Sequence, residues 1–320
     1  MNRKPRALRV AVGAARRLSA RIRPVLHRSG PAQALQGALL QRIDVSDYNA
    51  AGPPDLQHVV SQTVTAAQIL SPKYASWAKV LGEEPRFHRK QWEYVIVLEA
   101  ADQAGVLREG CAAIGFGVGT EPLPAALASR GVAVLATDQA ADNAGHWTRR
   151  GEHSSDVEAL QKPDICPPGR FRRLVSFRPV DMNAMPAGLG SYDLVWSSCV
   201  IEHLGTPDAG LDFVRRSLDL LHPGGVAVHT TEFDLTPGPE TVDYGHCAVY
   251  RRQDVEKLRC EVVAAGFQMT INSYVAFEHP ADRYVAPPLS VGDEEFHLKL
   301  ALYDSITTSF AIVVRRPTSD

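Results

Sequence analysis

The sequence predicts an α/β fold built on a doubly wound, mostly parallel sheet. Short apolar runs alternate with helical segments from Cys111 onward, a glycine-rich loop joins the first strand to the first helix, and an acid closes the next strand. The strands are expected at Cys111 to Ile114, Val132 to Thr137, Leu174 to Val180, Tyr192 to Ser197 and Val226 to Thr231. Helices are expected at 122–130, 207–221 and 252–265, and two late strands at Gln268 to Ala276 and Thr308 to Arg315.

Composition excludes several other classes. Hydrophobic residues at 45% supply a core, and charged residues at 22% are too few for a disordered chain. No apolar run approaches the roughly 18 residues that a membrane span needs. Cys111, Cys166, Cys199, Cys247 and Cys260 are scattered and odd in number, which argues against a disulfide framework and for a reducing, cytoplasmic compartment.

Charge is unevenly placed. Residues 1–30 hold nine of the 34 Lys and Arg and no acid, so the body carries 25 basic against 36 acidic residues. So acidic a body is a poor nucleic-acid surface. The basic head has Leu8, Val12, Ala15, Leu18, Ile22 and Val25 at helical spacing. It reads either as a solvated tail or as an amphipathic segment for peripheral membrane contact.

Residues 31–107 are expected to be a helical N-terminal region, with helices at Asp55–Leu70 and Gln91–Leu107. Between them EPRFHRKQWE is dense in cations and aromatics. Arg89, Lys90 and Trp92 are expected either to cover a cofactor and clamp its carboxylate, or to form a solvated face. Residues 108–320 form the expected cofactor-binding domain, with an insertion at 142–173 shaping the acceptor pocket.

The chemistry-bearing loop is CAAIGFGVGTEP. Gly115, Gly117 and Gly119 let backbone N–H groups approach a ligand, and Asp138, at the end of the next strand, can hold a ribose diol. Dinucleotides and S-adenosylmethionine both use this geometry. The dinucleotide fingerprint needs glycine where Thr120 stands, and a carboxylate at Glu121 would repel a pyrophosphate. Two later segments favour S-adenosylmethionine: an acid at Asp181 can accept adenine amino hydrogens while the Met182 thioether packs on the ring, and YDLVWSSCVIEHL carries a polar turn after a strand.

AIGFGVG, ATDQ, VDM, YDLVWSSCVIEHL and LHPGGVAV stand in the order and approximate spacing of the class I S-adenosylmethionine-dependent methyltransferases, which residues 90–315 resemble. The resemblance implies a Rossmann-like, seven-stranded sheet with an antiparallel last strand and a ligand at the carboxyl ends of the strands. Gly115, Gly117 and Gly119 would line the methionine part, Asp138 the ribose, Asp181 and Met182 the adenine, and Ser198 and Cys199 the reacting sulfur. The implied reaction is methyl transfer to a small-molecule or glycan-type hydroxyl or amine. A hydroxyl acceptor needs a base, for which His203, His246 and Glu232 are the candidates. His203 could equally hold a loop, His229 alternates inward within its strand, and Asp234 accompanies Glu232. No compact metal-ligand spacing occurs, so no metal is assigned. An NAD-dependent oxidoreductase and a non-catalytic binding protein on the same fold remain open readings.

Overall fold

The computed structural model describes residues 30–43, 48–49, 51–140, 156–238, 241–245, 247–287 and 296–318. The basic head, His246 and much of the expected insertion lie outside them. Along the chain come α1 (Gly30–Leu40), β1 (Ser61–Thr63), α2 (Ala66–Ile69), α3 (Pro72–Val80) and α4 (Arg89–Gln103). The alternating part follows: β2 (Ala112–Phe116), α5 (Leu123–Ser129), β3 (Ala133–Asp138), α6 (Pro168–Leu174), β4 (Val175–Pro179), β5 (Tyr192–Ser198), α7 (Pro207–Ser217) and β6 (Leu221–Asp234). The last third holds β7 (Val242–Asp243), β8 (Ala248–Val249), α8 (Arg252–Ala264), β9 (Ile271–Asn272), α9 (Pro280–Arg283), β10 (Val285–Ala286), β11 (Lys299–Leu302) and β12 (Ser305–Arg315).

The central sheet runs β10-β11-β12-β6-β5-β2-β3-β4, with β1 paired to β12 and β9 to β1. Strands β6, β5, β2, β3 and β4 are parallel, and β12 lies antiparallel to β6 over nine paired positions. The sheet therefore has ten strands among the described residues, against the seven expected. The chain winds outward from β2 to β4, then returns to β5 on the other side of β2. That reversal opens a crevice at the carboxyl ends of β2 and β5, where ligands of such sheets bind.

Alternating side chains feed two cores. Ala113, Trp196, Val228 and Val313 face one buried cluster, while their neighbours Ile114, Val195, Ala227 and Ile312 face the other. The first is covered by α4 and α5, the second by α7 and α8. Burial on both faces is why these strands read as continuous apolar runs. The first cluster also takes residues from both sides of position 107, from Leu56 and Trp92 to Ala311.

Three expected elements are corrected. Asp55–Leu70 is not one helix. Ser61–Thr63 pairs with β12 and β9, and Thr65 then caps α2, its hydroxyl taking the Gln68 N–H while the Gln68 side chain returns to the Thr65 N–H. The late strand at 268–276 contracts to β9 plus an isolated antiparallel bridge between Gln268 and Arg315. Helix 207–221 ends at Ser217 and continues as a tight turn, Leu218–Leu220.

His229 is buried within β6, between two serines. Ser217 Oγ donates its hydrogen to the Val214 carbonyl, so toward His229 it can only accept, from Nε2–H at 3.0 Å. Nδ1 then accepts from Ser197 Oγ at 2.8 Å. Burial holds the ring pKa down at about 3. The group is a neutral strut.

Candidate active site

A cavity of about 1550 Å³ opens at the carboxyl ends of the parallel strands. Its walls come from the loops after β2, β3 and β5, from the start of α4, and from β11 with the turn that follows it. Ligand pockets commonly measure roughly 300–1,000 Å³, so this one has room for a cofactor and a second reactant.

The glycine loop is shaped by two left-handed residues, Gly117 (φ 59°) and Gly119 (φ 50°), both bordering the cavity. A Cβ on Gly117 would come within 2.7 Å of Val200, so the loop also needs glycine for its packing on the β5 turn. Gly119 N–H donates to Asp138 Oδ2 at 3.1 Å, and Gln139 N–H to Oδ1 at 2.8 Å. The loop and the β3 end are thereby tied into one ledge. Met182, buried, and Val180 add an apolar wall beside it.

Several residues singled out in the sequence sit elsewhere. Gly115 lies within β2, where a Cβ would stand 2.2 Å from the Trp196 ring, so glycine is required there by the indole rather than by a ligand. Asp181 is exposed and caps the short turn Met182–Ala184, accepting Asn183 N–H at 2.9 Å. Trp92 is no lid. It is fully buried and its indole donates to Gln68 Oε1 at 2.7 Å. Arg89 and Lys90 do border the cavity, but Arg89 Nη2 lies 2.5 Å from Glu232 Oε1 and Nη1 3.7 Å from Glu93. Its charge is already matched by protein carboxylates, which corrects its reading as a clamp for a cofactor carboxylate.

Asp234 is likewise taken. Fully buried, it accepts from Arg251 Nη2 at 2.7 Å, from the Thr236 N–H and hydroxyl, and from Ser305 Oγ at 3.0 Å. Glu232 keeps one edge on the cavity, with Thr307 Oγ1 donating to it at 2.8 Å. His203 borders the cavity from the turn Ile201–His203, half-buried.

Cys199 follows β5 with φ 52°, a left-handed conformation uncommon outside glycine. Its N–H is held by the Thr230 carbonyl at 3.0 Å and hydroxyl at 3.1 Å, and its thiol donates to Glu93 Oε1 at 3.1 Å. Burial and the Glu93 carboxylate push the thiol well above its usual range, so Cys199 is no nucleophile. Donor atoms of Cys199, Glu202 and Glu232 lie within 4.8 Å of one another. The Arg89 guanidinium on Glu232 and the protonated thiol oppose a second cation there.

The sequence reading missed one acid, Glu93, and misplaced another, Glu121. Glu93 is completely buried in α4 and stays ionised despite its burial, because Lys90 at 3.0 Å, Arg89, and the Ser309 hydroxyl at 2.6 Å surround it. Its signal was an acid inside the apolar run QWEYVIVL. Glu121 was read as a charge facing a ligand, which the structure corrects. It is buried, accepts the Trp196 indole N–H at 2.6 Å, and burial raises its pKa to about 8. Neutral at pH 7, it cannot repel a pyrophosphate, so only Thr120 still argues against a dinucleotide.

The Glu121 proton has a measurable consequence. Between its usual pKa of 4.5 and about 8 the folded chain keeps a proton that the unfolded chain has released. Stability must therefore fall as pH rises through that window. Glu121→Gln, which mimics the protonated form, should match the parent at pH 4.5 and exceed it at pH 8. Paired urea titrations at the two pH values check this, and equal differences at both would refute it.

Residues 114–229 match the family model described as a methyltransferase domain. The matched stretch runs from β2 to β6 and holds the glycine ledge. A stretch of 56 residues of the chain is 43% identical to malonyl-[acyl-carrier protein] O-methyltransferase of Laribacter hongkongensis, covering 16% of the chain. The match spans about a fifth of that relative, 19% of its length. Among solved structures, a methyltransferase of Bacillus halodurans aligns at 15% identity and TM-score 0.43, covering 69% of this chain and 99% of that one. The CcbJ methyltransferase of Streptomyces caelestis aligns at 16% identity and TM-score 0.38, covering 68% and 93%. Among the described residues, no helix is long and apolar enough to cross a membrane.

Proposed function

We propose that the protein transfers a methyl group from S-adenosylmethionine to a hydroxyl or amine of a small-molecule or glycan-type acceptor. The observation that carries this is the ledge made by Gly117, Gly119 and Asp138 at the strand reversal, within the matched domain. Its donors and acceptor fit the cofactor. Two left-handed glycines open the backbone for the methionine part, the Asp138 carboxylate suits a ribose diol, and Met182 with Val180 suits an adenine face. Ser198 and Cys199 border the site from β5.

S-adenosylmethionine supplies an activated methyl on a sulfonium. The chain's own residues therefore have to align, exclude water and take up a proton. The buried net of Arg89, Glu93, Glu232, Cys199 and Ser309 fixes α4 against the ends of β5, β6 and β12, which sets the acceptor wall. His203 is the base we assign for a hydroxyl acceptor. Glu232 is less suited, since its carboxylate is already engaged by the Arg89 guanidinium at 2.5 Å and the Thr307 hydroxyl at 2.8 Å. For residues 1–30, the cation-rich, acid-free pattern supports reversible attachment to an anionic membrane surface.

Asp138→Ala tests the ledge. Charge-assisted hydrogen bonds contribute about 1.5–3 kcal/mol, so affinity for S-adenosylhomocysteine should fall roughly ten- to a hundredfold. Calorimetry reads this directly, with circular dichroism confirming the fold. Undiminished affinity would show that Asp138 only braces the glycine loop. Cofactor binding without turnover across a broad acceptor panel would favour the non-catalytic reading.

A further inference from the structure

Strands β11 and β12 are joined by the two-residue turn Tyr303-Asp304, with Leu302 paired to Ser305. The first of these positions is left-handed, Tyr303 having φ 51°. With only its first central residue at positive φ, such a hairpin normally places glycine there, and a bulky aromatic is a genuine outlier. Strain of this kind persists only where surrounding structure over-determines it, and it concentrates at ligand clamps.

What holds the ring is visible. Tyr303 packs against Tyr244, with ring centroids 4.3 Å apart and planes tilted by 35°. Tyr244 is itself fixed, its hydroxyl accepting the Asp304 N–H at 3.2 Å and lying 3.2 Å from Ser305 Oγ. Yet Tyr303 remains 53% exposed, one of few large apolar side chains so open among the described residues, and it borders the cavity. Leu300 and Leu302, two apart on β11, border it on the same side, as does Cys247.

Position in the sheet separates this surface from the cofactor ledge. Between β3 and β11 lie five strand spacings, roughly 24 Å at about 4.8 Å each. The ledge spans β2 and β3, and Tyr303 stands at the far end beyond β6 and β12. We propose that Tyr303, backed by Tyr244 and flanked by Leu300 and Leu302, is a stacking platform for a ring of the acceptor, so that the substrate class is ring-bearing rather than linear. This rests on the methyltransferase reading for the word acceptor, but the platform itself is a binding surface that can be tested without turnover. The preset ring orientation lets a flat or sugar face dock without ordering a free side chain first.

The test uses the full chain, with and without S-adenosylhomocysteine, as parent, Tyr303→Gly and Tyr303→Phe. Glycine suits the left-handed turn, so Tyr303→Gly should keep its melting temperature and its affinity for S-adenosylhomocysteine. Saturation-transfer NMR with 4-nitrophenyl β-D-glucopyranoside as probe should show ring protons in contact with the parent and with Tyr303→Phe. Affinity for that probe should drop about three- to tenfold in Tyr303→Gly. Hexanoate, a linear control, should not distinguish the three proteins. Equal probe affinity in parent and Tyr303→Gly, or no transfer to the parent at millimolar probe, overturns the proposal. Probe discrimination in a protein that fails to bind S-adenosylhomocysteine would keep the platform and remove the cofactor reading instead.

Discussion

Asp234→Ala is expected to cost about 3–5 kcal/mol of folding stability, the usual consequence of removing one partner of a buried ion pair. The Asp234 carboxylate is fully buried and accepts from Arg251, Thr236 and Ser305, while Arg251 keeps only 8% of its side-chain surface exposed. Without the acid, the guanidinium retains the Thr236 and Gly238 carbonyls but loses its counter-charge. Chemical denaturation measures the loss. Asp234→Asn keeps one acceptor oxygen, enough for Thr236 or for Ser305 but not for both, and should recover part of it. Affinity for S-adenosylhomocysteine in the surviving folded fraction should stay unchanged, because Asp234 does not border the cavity. A variant as stable as the parent would mean that Arg251 finds water or another partner.

This acid also shows where sequence reading stops. Glu232 and Asp234 look alike in TTEFD, two residues apart on one strand face. Only tertiary contacts divide them: Arg251 arrives from the start of α8 to take Asp234, and Arg89 arrives from α4 to take Glu232. The central parallel strands β2, β5 and β6 were legible because burial on both faces makes each a largely apolar run bounded by turn residues. The short strands β1, β9 and β10 were not, since two- and three-residue segments carry no period. Gly117 and Asp138 were legible through spacing alone. Gly115 shared that spacing but not its reason, because the indole filling its missing side chain, Trp196, lies 81 positions downstream in the next strand over. Tyr303 was invisible for a similar cause: a positive φ at a tyrosine contradicts the residue preference from which turns are read.

His203→Ala is expected to lower kcat by roughly a hundred- to ten-thousandfold for a hydroxyl acceptor, the span a positioned general base contributes. The competing groups at this end of the cavity are committed. Glu232 is matched by Arg89 at 2.5 Å, and Cys199 is held as a thiol on Glu93. Glu202 is buried, which raises its pKa, and receives the Thr231 hydroxyl at 3.1 Å. His203 stands on the turn that follows β5, at the same strand end as Ser198 and Cys199, and borders the cavity. Affinity for S-adenosylhomocysteine should be retained, since the ledge on β2 and β3 is untouched, so the loss should fall on kcat rather than on cofactor binding. An amine acceptor presents its own lone pair, and for such a substrate the same variant should lose much less. Steady-state kinetics of the variant on a matched alcohol and amine therefore assigns both the base and the acceptor class, and full activity on the alcohol would remove His203 from the mechanism.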